Sequence, residues 1–413
     1  MAENFRYTTS QIYNITSSLA QPENVTLGSW IRWIDSSISQ RLLASCYILE
    51  SQQAMLLARE PIPSLFQGSG MDLPFPTHTS VWDAMTLEEW TMAARQSFSS
   101  PQYVFGASSA SLLIPCDVFQ SSLLISASYN QSEVTMPYSN TYSVEDVDTL
   151  LDGSFGTKQT LLTAKLLQVT PVRELLAVSG ESWILSEKVS SPQSFTRFKT
   201  TLRTWASQLW TSPSTSSHPI ASHEAVKLSV EILKQALNSS TPLSLGMGTD
   251  MGMYFAGLVL WAITTTASTR AKATMHYRHN SLPPTYSTPT SAPTAFDAAD
   301  PCYSQPASPA RHDSLSADTL LSYDQITFQS LAFLPTVLGL ATHQQPLDLS
   351  SLQAGCISML LWVKLQLRGA PLEDGNDMAV WASAPGDGLG ELLDGVVGSL
   401  ERVLNRGWGN WGI

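Results

Sequence analysis

Cysteine is scarce in this chain: four residues in 413, Cys46, Cys116, Cys302 and Cys356, none of them forming a CxxC pair. That excludes a zinc finger or zinc cluster built from closely spaced cysteines, and it leaves no dense disulfide framework of the kind that staples small secreted domains. Charge is scarce as well. Asp, Glu, Lys and Arg make up 14% of the residues, against about 25% in an average soluble domain. With 22 basic residues against 34 acidic ones the formal charge is −12, and the shortage of Lys and Arg argues against direct nucleic-acid binding, because phosphates are neutralised mainly by those side chains. The N-terminus lacks a charged start followed by an apolar run, so it does not read as a secretory signal. Neither GxSxG, GxxxxGK[ST], HExxH nor a GxGxxG following a strand occurs, which removes the common short signatures of hydrolases, P-loop enzymes, zinc proteases and dinucleotide binders.

What the chain has instead is helical periodicity. From Trp30, apolar residues fall at Trp33, Ile34, Ile38, Leu42, Cys46 and Leu49, a spacing of three and four that predicts a helix burying that stripe, with Pro61 and Pro63 as its stop. Thr86-Leu-Glu-Glu89 reads as a capping box ahead of Trp90, and a short helix is expected to begin at Ser80 or Thr86. Between Tyr103 and Tyr142 the Ser-rich runs, such as Ser121–Ser126, fit either strand or helix. Further helices are expected around Leu161–Leu167 up to a break near Pro171, then at Phe198–Trp210, Ala221–Leu237, Met251–Arg270, Leu315–Leu340 with an interruption at Pro335, Leu352–Leu367 and Leu389–Leu404. Without regular strand alternation this pattern predicts an all-α fold: a large multi-helix body interrupted by a linker.

The most apolar run, Met251–Ala267, is shorter than the ~20 residues that span a bilayer and ends in Thr264, Thr265 and Thr266, so it is read as a buried helix rather than a membrane segment. Residues 281–310 hold 7 of the 24 prolines and almost no bulky aliphatics; such a segment buries too little apolar area to offset its ordering entropy and is expected to be disordered. The organisation that follows is an N-terminal tail (1–27), a main helical body (28–279), a Pro/Ser/Thr-rich linker (280–311) and C-terminal helices packing on the body (312–413).

Candidate chemistry is thin. Glu145-Asp-Val-Asp148 and Glu373-Asp-Gly-Asn-Asp377 hold carboxylates of the kind that bind hard cations, and the second run suggests an all-α enzyme of the prenyl-diphosphate type. No second ligand motif follows, and Gly375 favours a solvated turn. His276 and His279 are spaced like metal ligands on one helix face, but Arg270, Lys272 and Arg278 make the stretch read as the basic end of a helix. His343 has neither nucleophile nor carboxylate beside it in sequence. Trp30, Trp33, Trp82, Trp90 and Trp261 stand in apolar helical stretches, where core packing is the first expectation and a pocket for a small apolar effector the second.

Taken together the tryptophan segments carry a family pattern. Trp30-Ile-Arg-Trp33, Gln40-Arg41-Leu42, Tyr47, Leu49 and Glu50 form one block; Leu73-Pro74-Phe75-Pro76, Val81-Trp82-Asp83-Ala84 and Glu88-Glu89-Trp90 form a second. These blocks resemble the fungal-specific transcription factor domain, or middle homology region, as found behind C2H2 zinc fingers: a W-x-x-W helix with an acidic and then a double-basic position, an L-P-x-P loop, and an L-W-x-A…E-x-W segment. Tyr254–Trp261 is similar to that family's apolar Y-x-A-x-L-V-L-W helix. The chain departs from the pattern at Ser37, where an acid is usual, at Gln40, where a base is usual, and at Glu50, where Asp is common; Arg41 is then expected to pair with Asp35 or Glu50.

The resemblance implies a regulatory region controlling RNA polymerase II transcription in the nucleus; without it, the reading is of a soluble intracellular protein. It implies no catalytic residue and no cofactor in this chain, zinc belonging to a DNA-reading module N-terminal to the first block and expected to be missing here. The partners it implies are the transcription machinery or a complete regulator, as a homo- or heterodimer, with room for a small-molecule effector and with no membrane. Trp30, Trp33, Arg41, Pro74, Pro76, Trp82, Trp90 and Trp261 are its structural motif residues. The competing readings are the all-α secondary-metabolism enzyme and a stand-alone protein-interaction module.

Overall fold

A computed structural model describes residues 26–56, 73–96, 103–104, 115–129, 147–180, 191–210, 220–239, 247–280, 322–340, 348–368, 391–406 and 408. Its helices are α1 (Leu27–Leu56), α2 (Thr79–Trp82), α3 (Leu87–Gln96), α4 (Val118–Tyr129), α5 (Phe155–Val169), α6 (Val172–Ser179), α7 (Pro192–Ser207, continued by a 3₁₀ turn at Gln208–Trp210), α8 (Ala221–Leu237), α9 (Met247–Asn280), α10 (Tyr323–Leu340), α11 (Leu349–Arg368) and α12 (Glu391–Arg406). Among the described residues the only β pairing is an isolated bridge between Pro74 and Tyr103, so the fold is all-α as the periodicity predicts. The linker, the acidic run at 373–377, His343 and Cys302 lie outside the described residues.

Local signals set many of the boundaries. Thr86 and Glu89 form the expected capping box: the Glu89 amide donates to Thr86 Oγ1 (3.2 Å), and Glu89 Oε2 accepts from the Thr86 and Met85 amides (3.3 and 3.0 Å). Ser80 and Thr86 mark two helices rather than one, since α2 is a single turn that ends at Trp82. Pro171 separates α5 from α6, and α6 closes on Gly180 at φ 103°, a left-handed C-cap. The ambiguous Ser121–Ser126 run is helix α4, capped by Asp117, whose Oδ1 accepts from the Gln120 amide (2.7 Å).

α9 is the hub. It is surrounded by α5, α6, α7, α8 and α11, and every large apolar residue from Met251 to Ile263 is buried. The run expected at Met251–Arg270 is part of a 34-residue helix, so it does pass a length test for a membrane span, yet its apolar window is wholly buried in the protein. Its threonines are compatible with that burial because they bond inward: the Thr265, Thr266 and Ser268 hydroxyls donate to the carbonyls of Trp261, Ala262 and Thr264, four residues back. α10 and α11 form a tight helical pair against α8 and α9, close enough that a Cβ on Gly355 would come within 2.8 Å of the Phe333 ring. α12 joins α11 through Lys364 and Arg368, which both reach Glu401 Oε1 at 2.8 Å, and touches α9 through the Tyr254 hydroxyl, 3.1 Å from Ser399 Oγ.

Two expectations are corrected. Pro335 does not interrupt α10, which runs through it to Leu340. A proline removes the hydrogen bond to the carbonyl four residues earlier, here Leu331. Leu331 and Pro335 both lie on the exposed side, where water can take that bond. The second correction concerns α1. Its buried side is Trp33, Ser36, Ser37, Gln40, Ala44, Tyr47, Ile48 and Ser51, whereas Ile38 (49% exposed), Leu42 (63%) and Leu49 (52%) of the expected stripe face outward. The helix carries apolar residues on both sides, so periodicity alone does not decide which side is covered. The side with small residues and a glutamine allows close approach, and that side wins.

Candidate functional site

The motif residues of the first two sequence blocks converge on one clamp where α1, the 73–79 segment, α3 and the start of α4 meet. Its spine is an extended stretch, Leu73-Pro-Phe-Pro-Thr77, that has little means of bonding its own backbone, since proline donates nothing. Three successive carbonyls along it are taken by three side chains. Gln40 Nε2 donates to Phe75 O (3.1 Å), Gln120 Nε2 to Pro76 O (2.8 Å), and Arg41 Nη2 to Thr77 O (3.3 Å). Pro74 and Pro76 are both buried, and Val104 closes the other edge by donating its amide to Leu73 O (2.9 Å).

Arg41 is the centre of the clamp. Its guanidinium carbon sits 4.7 Å from the ring centroid of Trp82 and 4.9 Å from that of Phe119, with Thr79 Oγ1 3.5 Å from Nη2. Asp117 ties the same corner together: its Oδ2 accepts from the Thr79 amide (2.5 Å) and the Thr79 hydroxyl (2.6 Å). Burial pulls the Arg41 pKa below the ordinary arginine value, while the charges of Asp117 and Asp83 pull the other way. The acidic groups that face Arg41 are therefore Asp117 and Asp83, and the expected pairing with Asp35 or Glu50 is corrected. The reason is geometric, since Asp35 lies on the exposed side of α1.

Beside the arginine stands a tryptophan cluster. Trp33 and Trp90 are fully buried with ring centroids 5.6 Å apart and planes inclined by 56°; Trp33 and Trp82 are 6.4 Å apart, and Trp30 stacks on Trp90 at 6.3 Å and 26°. Such offset and tilted geometries are the favoured aromatic arrangements. Thus Trp30, Trp33, Arg41, Pro74, Pro76, Trp82 and Trp90 form one unit. Trp261 does not join it. It is buried in α9, beside a cleft lined by Ile357, Leu360, Val403, Leu404 and Trp408 that has room for no more than a water-sized guest.

Gln40 stood in the first block but looked like a lost base, and Thr77, Thr79, Asp117, Phe119 and Gln120 belong to neither block. One signal was available, since Asp117-Val-Phe-Gln120 has the spacing of a capping box and would have announced the start of α4. Nothing in the sequence pointed to its contact with the Pro76 carbonyl.

The chemistry available elsewhere is limited. Among the described residues no group of three or more His, Cys, Asp or Glu side chains is placed to hold a metal ion. Asp148, from the first acidic run, is engaged by the Lys165 ammonium and the Tyr129 hydroxyl. Cys116 and Cys356 are buried thiols whose pKa values are both pushed up to about 12 by desolvation, which makes them poor nucleophiles. Asp250, in the first turn of α9, is raised to about 6 by burial, and its Oδ1 has no hydrogen-bond partner. His223 is committed to the Leu209 carbonyl at 2.9 Å, and His78 caps α2. The side chains of His276 and His279 lie outside the described residues.

The clamp can therefore hold and orient, but it presents no nucleophile–base pair. Comparison of the chain with family models, with curated proteins and with solved structures finds no match.

Proposed function

We propose that this chain is the regulatory region of a fungal transcription regulator of the middle-homology type, acting in the nucleus on RNA polymerase II transcription. The observation that supports it best is the Arg41 clamp. The blocks that carry the resemblance, W-x-x-W with Gln40-Arg41 and L-P-F-P with V-W-D-A and E-x-W, lie roughly 40 residues apart in sequence. They are joined side chain to backbone in one compact unit, as expected if they form a single inherited motif. A half-buried arginine packed against two rings, with three side chains fixing one extended segment, is a rigid scaffold suited to relaying contacts rather than to turnover.

The partners that follow are the transcription machinery or a complete regulator, with any DNA contact supplied by the partner. The −12 charge supports that division of labour, because sequence-independent affinity for DNA rises with the number of phosphates neutralised.

Fusing the full chain to a heterologous DNA-binding module and reading a reporter in a fungal host tests the proposal. The expected outcome is a several-fold change in output that Arg41→Ala removes at equal protein level. Unchanged output for the intact fusion overturns it, as does tight, sequence-selective DNA binding by the unfused chain in a mobility-shift assay.

A further inference from the structure

We infer that the outward face of α1 is a homodimer interface in which two copies of this helix pair antiparallel. The face is predominantly apolar from Leu27 to Leu49. Leu27 (59% exposed), Ile31 (51%), Ile38, Leu42 and Leu49 all lie opposite the side that packs on α3, α4 and α5. They recur with an eleven-residue period, 27 and 31, 38 and 42, then 49, which on a helix drifts by about 20° every three turns, so two helices can follow it with a gentle right-handed supercoil. From Leu27 to Leu49 the stripe is about 33 Å long at 1.5 Å per residue.

The spacing selects the occupant. Ile31, Ile38, Leu42 and Leu49 are palindromic about position 40: Ile38 mirrors Leu42, and Ile31 mirrors Leu49. A two-fold interface requires a surface complementary to its own reverse, in which residue i meets j and j meets i. Antiparallel pairing centred on position 40 sets Ile38 of one copy against Leu42 of the other, and Ile31 against Leu49, twice each. The single acid within the stripe, Asp35, then falls opposite Ser45 rather than opposite another charge.

The flanks agree. Arg32 and Glu50 lie on the same side of the stripe, because 18 residues is five helical turns. Reversal brings Arg32 of one copy within about two residues, roughly 3 Å along the axis, of the level of the partner's Glu50, giving opposite charges at both ends. Two helices in contact over this length bury on the order of 1,000 Å² in total, below the roughly 1,200 Å² of stable specific interfaces and in keeping with a weak, reversible dimer. This inference does not depend on the transcription reading, and the two can fail separately.

The test uses the full chain in solution. Sedimentation equilibrium is expected to show a monomer–dimer equilibrium. Leu42→Asp raises its dissociation constant at least about a hundredfold, since a charge is forced into an apolar contact at two symmetry-related places. Phe328→Asp, at an exposed apolar position of α10, is the control and leaves the equilibrium unchanged. Arg32→Glu and Glu50→Arg each weaken association, and the double variant restores it. Register is read by oxidative cross-linking. Ser39→Cys, next to the two-fold axis, gives a covalent dimer, while native Cys46 does not, because antiparallel pairing holds the two Cys46 residues about 18 Å apart along the axis. Three results overturn the inference: a wild-type chain that stays monomeric at every concentration, a dimer that survives Leu42→Asp, or cross-linking through native Cys46, which indicates parallel pairing.

Discussion

The guanidinium of Arg41 lies 4.7 Å from the centre of the Trp82 ring while the same group donates to the Thr77 carbonyl, so one side chain joins α1 to both the proline loop and α2. A lysine cannot do both, because its point charge has neither the planar stack nor the fork of donors. Arg41→Lys is therefore expected to lower unfolding free energy by about 1–2 kcal/mol and Arg41→Ala by about 2–4 kcal/mol, since Ala also leaves Asp117 and Asp83 without their cation. Denaturant titration measures both. An Arg41→Lys variant as stable as the parent would show that the stacking adds nothing beyond charge.

Gln40 and Gln120 hold adjacent carbonyls of one extended segment. Gln40→Leu or Gln120→Leu each orphans a buried acceptor and is expected to cost about 1–3 kcal/mol. The two changes act on the same five-residue stretch, Leu73–Thr77, so the double variant should lose less than the sum of the singles. A double-mutant cycle that closes additively would mean the carbonyls are held independently.

Gly355 is a packing requirement rather than a turn. A Cβ there would meet Phe333 Cδ2 at 2.8 Å and Phe333 Cβ at 2.9 Å, and because the second is anchored to the backbone of α10 it cannot swing away. Gly355→Ala is expected to destabilise the protein by about 1–3 kcal/mol despite the better helix propensity of alanine, with Phe333→Leu in the same chain recovering part of the loss. A gain in melting temperature for Gly355→Ala alone would contradict this packing.

Asp250 gives the pH dependence. Burial raises its folded-state pKa from the ordinary carboxylate range to about 6, so between roughly pH 4 and 6 the folded protein holds a proton that the unfolded chain has released. Stability from this group is fully present below that window and is lost as pH rises through it. Asp250→Asn should flatten the slope between pH 4 and 6 and stabilise the protein at pH 7 by about 1–2 kcal/mol, allowing for residual access of water to the carboxyl. Thermal melts at pH 4 and pH 7 suffice; a slope unchanged by the substitution would show that other groups set it.

How much of this was legible in the sequence depended on whether one signal or two competed at a position. The helix bounded by Ala221 and Leu237 and the capping box at Thr86 were legible because nothing opposes them. α1 was legible as a helix but not in its orientation. Ile38, Leu42 and Leu49 make a convincing stripe, yet Trp33, Gln40, Ala44 and Tyr47 make another on the opposite side, and the hydrogen bond from Gln40 to Phe75, 35 residues away, favours the second. α10 misled for a related reason, since proline stops a helix only where the freed carbonyl has no alternative partner. The clamp was half legible: its rings and prolines formed a pattern, but Asp117 and Phe119 come from a Ser-rich segment whose structure the sequence left open.

The hub position of α9 bears on the order in which the chain is made. Synthesis completes Asn280 long before Leu349, yet α11 supplies much of the wall against which Gly257 rests, 3.5 Å from Leu360 for a Cβ built there. During that interval a helix apolar enough to pass for a membrane span is exposed on the side α11 will later cover. A nascent chain stalled within residues 281–320 should therefore recruit chaperones more strongly than one stalled before Met247 or after Arg368. The length of chain between Asn280 and Leu349 thus sets how long the ribosome must hold an incomplete core.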